Sequence, residues 1–136
     1  MLIVDTGVLV AATDRTDQHY DACVALLETE PGPLVTTALV IAECAYLIER
    51  ELGPTVEATL YKAIIDGALH VENLTTADWA RVHELVTTYA DLPLGGTDAS
   101  IITIAERLGQ TRIATLDRRH FTVIRPAHLD AFDLIP

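Results

Sequence analysis

Met1-Leu2-Ile3-Val4-Asp5-Thr6 opens the chain, and Arg112-Ile113-Ala114-Thr115-Leu116-Asp117 has the same plan near the other end. Each is a short apolar run closed by an aspartate. Such a run, bounded by polar residues, is too short to be a helix and reads as a buried strand. Strands that are apolar on both faces belong to parallel sheets covered by helices. Between the two runs, helical periodicity alternates with short apolar segments, the pattern of an α/β fold with a parallel sheet.

Working outward, residues 6–13 read as a helical turn or short helix. Residues 17–28 read as a helix carrying Tyr20, Cys23, Val24 and Leu27 at helical spacing. Pro31-Gly32-Pro33 is a break, and Leu34-Val35 a second short strand. Thr36 or Thr37 caps a helix reaching about Leu52. That helix is apolar nearly all round, which predicts a central, buried position. Residues 55–66 form a further helix and residues 70–74 a strand. Thr75 or Thr76 opens a helix with Trp79, Val82, Val86 and Tyr89 on one face. After the loop at residues 91–96, Thr97 or Asp98 starts a helix that runs to Leu108 and is stopped by Gly109. Thr122-Val123-Ile124 is expected as the last strand.

The chain has 136 residues, half of them hydrophobic, enough for one domain with one core. Its high apolar content excludes disorder, and it contains no repeat or linker. Cys23 and Cys44 make no paired metal motif and read as buried free thiols, which suits a reducing cytoplasm. Asp5 breaks the first apolar run, and Glu43 splits the strongly apolar residues 34–48, so neither a signal peptide nor a membrane span is expected. The expectation is a soluble, cytoplasmic protein. The net charge of −11 counts against general nucleic-acid binding and suits a basic protein partner. Residues 107–129 depart from this balance, with Arg107, Arg112, Arg118, Arg119 and Arg125 against the single acid Asp117.

Four acids interrupt or close apolar stretches: Asp5, Glu43, Asp98 and Asp117. An unpaired charge in such a place is costly, so a cation is the natural partner. Each acid also has a plainer reading. Asp5 fits a helix cap, Asp98 a favourable first-turn charge, and Asp117 a turn residue. Glu43 resists one, because Leu39, Tyr46 and Leu47 are its helical neighbours. In an open parallel sheet, ligand sites form outside the carboxyl ends of the strands. Asp5 and Asp117 end strands and Asp98 starts a helix, so all three can meet there. Glu43 joins them if its helix packs against that edge. Oxygen-only ligands select Mg²⁺ or Mn²⁺ over zinc.

Other chemistries lack their residues. The five histidines show no zinc-type pairing. His120 reads as a loop residue beside Asp117, with substrate contact as the alternative. Ser100 is the only serine and lacks a nucleophile-elbow context. No phosphate-binding glycine loop is present. A haloacid-dehalogenase-type phosphatase needs a second aspartate where Gly7 stands and a placed lysine, and Lys62 is the only lysine.

Ile3-Val4-Asp5-Thr6, Glu43 in its helix, Asp91-Leu92-Pro93-Leu94-Gly95, Thr97-Asp98-Ala99-Ser100-Ile101, Ala105-Glu106-Arg107-Leu108-Gly109 and Ala114-Thr115-Leu116-Asp117-Arg118-Arg119-His120-Phe121 follow in order. In these pieces, and in their spacing over nearly the full length, the chain resembles PIN domains, VapC-type toxins of toxin–antitoxin pairs in particular. The doubled Gly95-Gly96 departs from the pattern. The resemblance implies a single PIN domain over residues 1–136 with a three-layer α/β/α fold and a short parallel sheet. It implies a Mg²⁺- or Mn²⁺-dependent endoribonuclease with metal ligands Asp5, Glu43, Asp98 and, less uniformly, Asp117, and with Thr6 as a supporting polar group. It further implies a homodimer and a cognate antitoxin, a small DNA-binding protein. Asp5 or Asp117 is the expected base for the attacking water. Arg112, Arg118 and Arg119 are candidates for holding the RNA backbone. A non-catalytic PIN-like binding module is the competing reading, and retention of all four acids argues against it.

Overall fold

The computed structural model describes all of residues 1–136. Strand β1 (Leu2–Val4) is the centre of a five-stranded sheet, and its three side chains are fully buried. On one side lie β2 (Leu34–Thr37) and then β3 (His70–Glu72). On the other lie β4 (Arg112–Ala114) and β5 (Asp133–Ile135). Every neighbouring pair is parallel, with Ile3 opposite both Val35 and Ile113. Burial on both faces explains why β1 is wholly apolar and why β4 is apolar at Ile113 and Ala114.

Helices flank this sheet in the expected α/β/α arrangement. After β1 come α1 (Thr6–Ala11) and α2 (Tyr20–Thr29), and after β2 come α3 (Ala38–Leu52) and α4 (Pro54–Ile65). These four pack together, α3 touching both α1 and α4. Helices α5 (Thr76–Thr88) and α6 (Gly96–Arg107) form a second pair, and α6 also reaches β1, β2 and α3. Residues 99–105 of α6 are all buried, which makes it the central helix of the molecule. A short helix, α7 (Arg118–Val123), precedes β5.

The chain builds β1, β2 and β3 outward in one direction, then crosses back to place β4 and β5 on the opposite side of β1. The order therefore reverses between β1 and β4, and a crevice opens at the carboxyl ends of strands at such a point. Asp5 follows β1 there, its backbone N–H still bonded to the carbonyl of Ala114. Thr37 caps α3, and its hydroxyl lies 2.8 Å from that of Ser100 in α6. Thr36 stays in the strand and donates to the Val4 carbonyl. These buried hydroxyls tie the helix of Glu43 and the helix of Asp98 to the same sheet edge.

Three sequence expectations are corrected. Residues 122–124 are not a strand. Asp117 caps residues 118–123 as a helix, accepting from the Arg119 N–H, and Phe121 and Ile124 fill the core one turn apart. The last strand is Asp133–Ile135, which the isolated triplet Asp133-Leu134-Ile135 had concealed. Helix α3 is not buried all round. Val40, Cys44 and Ile48, four apart, are buried, and Ile41, Ala45 and Leu52 pack partly buried against the core, while Glu43, Tyr46 and Arg50 are exposed. In α5 the buried stripe is Asp78, Val82 and Leu85, and Trp79 stands 51% exposed. Thr75 opens α5 through a capping box with Asp78.

Cys23 and Cys44 are buried and unpaired, as expected. No helix is long and apolar enough to cross a membrane.

Candidate active site

The crevice at the β1–β4 edge is an open cleft of about 550 Å³, with Asp5, Thr6, Glu43, Asp98, Asp117 and Arg119 on its walls. All four acids singled out in the sequence meet there. Leu47, Leu116, Thr97, Gly7, Gly95 and Gly96 complete the lining. Gly95 caps α6 and Gly96 begins it, so the doubled glycine leaves Asp98 in the first turn, facing the cleft.

Asp5 is the innermost acid, only 5% exposed. Its Oδ1 accepts from the Thr6 N–H at 2.7 Å and its Oδ2 from the Thr115 hydroxyl at 2.8 Å. Thr115 Oγ1 in turn accepts from the Asp117 N–H at 3.1 Å, so one hydroxyl joins the acids that follow β1 and β4. Burial, opposed by the two hydrogen bonds and helped by the charges of Asp98 and Glu43, leaves the Asp5 carboxyl pushed up to about 6. Burial likewise pushes the Cys44 thiol up to about 12, with Asp5 and Glu43 adding to the effect. Cys44 lies against the carbonyl of Thr6, where it acts as an inert packing group.

The other acids are wetter. Glu43 is exposed on α3, so its charge carries no burial penalty of the kind expected from the apolar sequence around it. It reaches the cleft because α3 turns that face toward the sheet edge. Asp98 is partly buried and Asp117 sits half-exposed at the rim. His120, in α7, places Nδ1 2.7 Å from Asp98 Oδ2 and 3.8 Å from Asp117 Oδ2.

The sequence-predicted arginines separate in space. Arg119 lines the cleft with its side chain 75% exposed, 3.9 Å from Asp117. Arg118 donates to the carbonyls of Leu134 and Pro136, clamping the end of β5. Arg112 opens β4, at the opposite end of the strand from the cleft, in a two-pronged pair with Glu30. Arg112 therefore does not join the site, and Arg118 is engaged by backbone.

Sequence reading gave Thr115 no role and read His120 as a loop residue beside Asp117, with substrate contact as the alternative. Thr115 carried no signal, because its partner Asp5 is 110 residues away. His120 is a helix residue rather than a loop residue, three positions after the Asp117 cap, and its contact is with Asp98.

The donor set fits a hard divalent cation. Its candidate ligands are all oxygens, which Mg²⁺ and Mn²⁺ prefer. Thr6 Oγ1 is the one buried side-chain polar atom without a partner, and Thr6 lines the cleft beside Asp5. Such orphaned groups are rare and mark a place for water or an ion. No three acid or histidine side chains stand close enough to grip one ion directly. Mg²⁺ commonly keeps several waters and takes only one or two carboxylates, so this spacing suits it.

The PIN-domain family profile matches residues 2–125. Ribonuclease VapC26 of Mycobacterium tuberculosis is 31% identical over 135 residues, covering 99% of this chain and all of that one. The crystal structure of VapC20 from the same organism, a sarcin–ricin loop cleaving toxin, superposes with a TM-score of 0.78 at 18% identity, over 83% of this chain and 87% of that one. VapBC2 from Rickettsia felis, solved with a DNA fragment from its promoter, gives 0.69 at 15% identity over 99% and 98%. The chain belongs to the PIN-domain family and is a relative of the VapC ribonucleases.

Proposed function

We propose that the protein is a Mg²⁺- or Mn²⁺-dependent endoribonuclease, the toxin of a toxin–antitoxin pair, which hydrolyses RNA phosphodiesters and so arrests growth. The observation that carries this reading is the meeting of Asp5, Glu43, Asp98 and Asp117 in one cleft at the sheet's switch point. The full-length likeness to a ribonuclease supports the substrate class.

Asp5 and Asp98, fixed by β1 and α6, are the groups that would hold the cation, with Glu43 reaching in from exposed α3 and Thr6 Oγ1 as a supporting donor. When bound, the cation screens the approaching phosphate from the carboxylates, acidifies the attacking water and stabilises charge on the transition state. Asp5 has both oxygens occupied by hydrogen bonds, which leaves Asp117, half-exposed at the rim, better placed to accept the water's proton. Arg119 offers its guanidinium to the RNA backbone from the same rim. The acidic body, at −11, suits a basic antitoxin, and the same reading gives the toxin a homodimeric assembly.

Purified protein, confirmed free of antitoxin, is expected to cut RNA with Mg²⁺ or Mn²⁺ and to stop when EDTA is added. An inert protein under both conditions would replace the nuclease reading with a non-catalytic binding module. Arg119→Gln is expected to raise the KM for RNA by about tenfold with little change in kcat, the mark of a lost phosphate contact. Arg112→Gln should leave both parameters alone, since that side chain faces Glu30 at the other end of β4.

A further inference from the structure

We propose that His120 is a positioning residue, whose Nδ1–H fixes the Asp98 carboxylate and thereby sets the site's affinity for a divalent cation. The inference rests on the nuclease reading above and goes beyond it by assigning a role to a side chain outside the acid set.

Helix α7 begins at the Asp117 cap, so His120, three residues on, lies on the Asp117 side of the helix and beside Asp98, outside the residues that line the cleft. Its side chain is only 12% exposed, although its helix forms the rim and its neighbours Arg118 and Arg119 are open to solvent. Nδ1 lies 2.7 Å from Asp98 Oδ2, and no other side chain or backbone group bonds to that carboxylate. A carboxylate offers only acceptors, so the imidazole is the donor and Nδ1 carries the hydrogen. This is also the one side-chain hydrogen bond that joins α7 to α6.

The consequence is geometric. Asp98 sits in the first turn of α6 with an open loop before it, and without His120 its carboxylate is free to rotate. With Oδ2 held by the imidazole, Oδ1 is the oxygen left to the cleft. Groups that orient a metal-binding carboxylate in this way commonly control metal affinity and activity by about 10–100-fold. An asparagine at the same position places its amide N–H close to where Nδ1–H stands. It keeps the donor but has no imidazole to exchange a proton, so it separates orientation from proton transfer.

The test uses full-length wild type, His120→Ala and His120→Asn. Mn²⁺ affinity is read by electron paramagnetic resonance, RNA cleavage by kcat and KM, and folding by melting in EDTA. His120→Ala is expected to weaken Mn²⁺ binding and to lower kcat by about 10–100-fold each, with KM for RNA little changed. His120→Asn is expected to restore most of both. Should the alanine protein fail to fold, His120→Gln, whose amide lies one methylene further out, takes its place with the same expected loss. Wild-type Mn²⁺ affinity in the folded alanine or glutamine protein overturns the inference. So does an asparagine protein as weak as the alanine one while melting like wild type. Wild-type protein that takes up no Mn²⁺ overturns this inference and the nuclease reading together. Wild type that binds and cuts, matched by His120→Ala, overturns this inference alone.

Discussion

Asp98→Asn is expected to cut the rate of RNA cleavage by at least about 100-fold, and to abolish growth arrest on expression, while the protein stays folded. The substitution keeps an oxygen that can accept from His120 Nδ1, so the link between α6 and α7 survives. What disappears is one negative charge facing the cleft. A neutral amide is a poor ligand for a hard cation, and the phosphate then meets the remaining carboxylates with less screening. Loss of a favourable charge at the start of α6 costs about 0.3–1 kcal/mol, partly offset by relief of repulsion from Asp5 and Glu43, so the melting temperature should move little. Glu43→Gln is expected to show the same loss of activity with little change in stability, because Glu43 is exposed and its charge only mildly repels Asp5. Cleavage at the wild-type rate by either variant, assayed with Mg²⁺ and confirmed folded by melting, would remove these acids from the chemistry.

The second large effect is on stability, and it runs opposite to the effect on activity. Asp5→Asn is expected to stabilise the metal-free protein by about 3 kcal/mol above pH 7, which raises the melting temperature by roughly 10 °C. Burial raises the Asp5 carboxyl from 3.8 to about 6 in the folded state. A raised acid contributes stability that is fully present below the unfolded value near 3.8 and is lost as pH climbs through about 6. Above that the ionised, buried carboxylate weighs against folding, and a neutral amide does not. The asparagine fits the same contacts. Its oxygen accepts from the Thr6 N–H, and its amide donates to a Thr115 hydroxyl that turns toward the Asp117 carbonyl 3.3 Å away. The advantage should vanish near pH 4, where Asp5 is protonated in both states. With saturating Mn²⁺ it should shrink or reverse, since the cation stabilises only the protein that binds it. Thermal melts in EDTA at pH 4 and pH 8, and again with Mn²⁺, measure all three; a less stable asparagine protein at pH 8 in EDTA would contradict the account.

This trade of stability for chemistry explains what the sequence could and could not display. The runs ending at Asp5 and Asp117 were legible because parallel strands buried on both faces leave an uninterrupted apolar signature, and an acid at their carboxyl end stands out. Asp98 was legible as a first-turn acid, although Gly96 rather than Thr97 begins its helix. Glu43 was found for the wrong reason. Its apolar neighbours made it look buried, yet α3 turns only one side, centred on Val40, Cys44 and Ile48, to the core, and Glu43 lines the cleft instead. Burial pressure belongs instead to Asp5. The stretch at 118–124 deceived because Thr122, Val123 and Ile124 are β-formers in a segment whose conformation is set by the Asp117 cap and by Phe121 in the core. The same expectation made His120 read as a loop residue rather than a helix residue beside Asp98. Arg112, Arg118 and Arg119 looked like one basic cluster, but a strand and a turn separate them. One pairs with Glu30, one clamps β5, and only Arg119 faces the cleft. Thr115 was beyond reach, since its hydrogen bond to Asp5 exists only once β1 and β4 are side by side.

On the proposed reading, these separate acids serve divalent cation binding in their shared cleft. Crystals of the wild-type protein grown with Mn²⁺, at a concentration that supports RNA cleavage, test it through the anomalous signal of the metal. The expected result is a peak in the cleft contacting Asp5 and Asp98, with Glu43 or Asp117 turned toward it. Manganese bound elsewhere on the surface, with that cleft bare while the same protein cuts RNA, would contradict it.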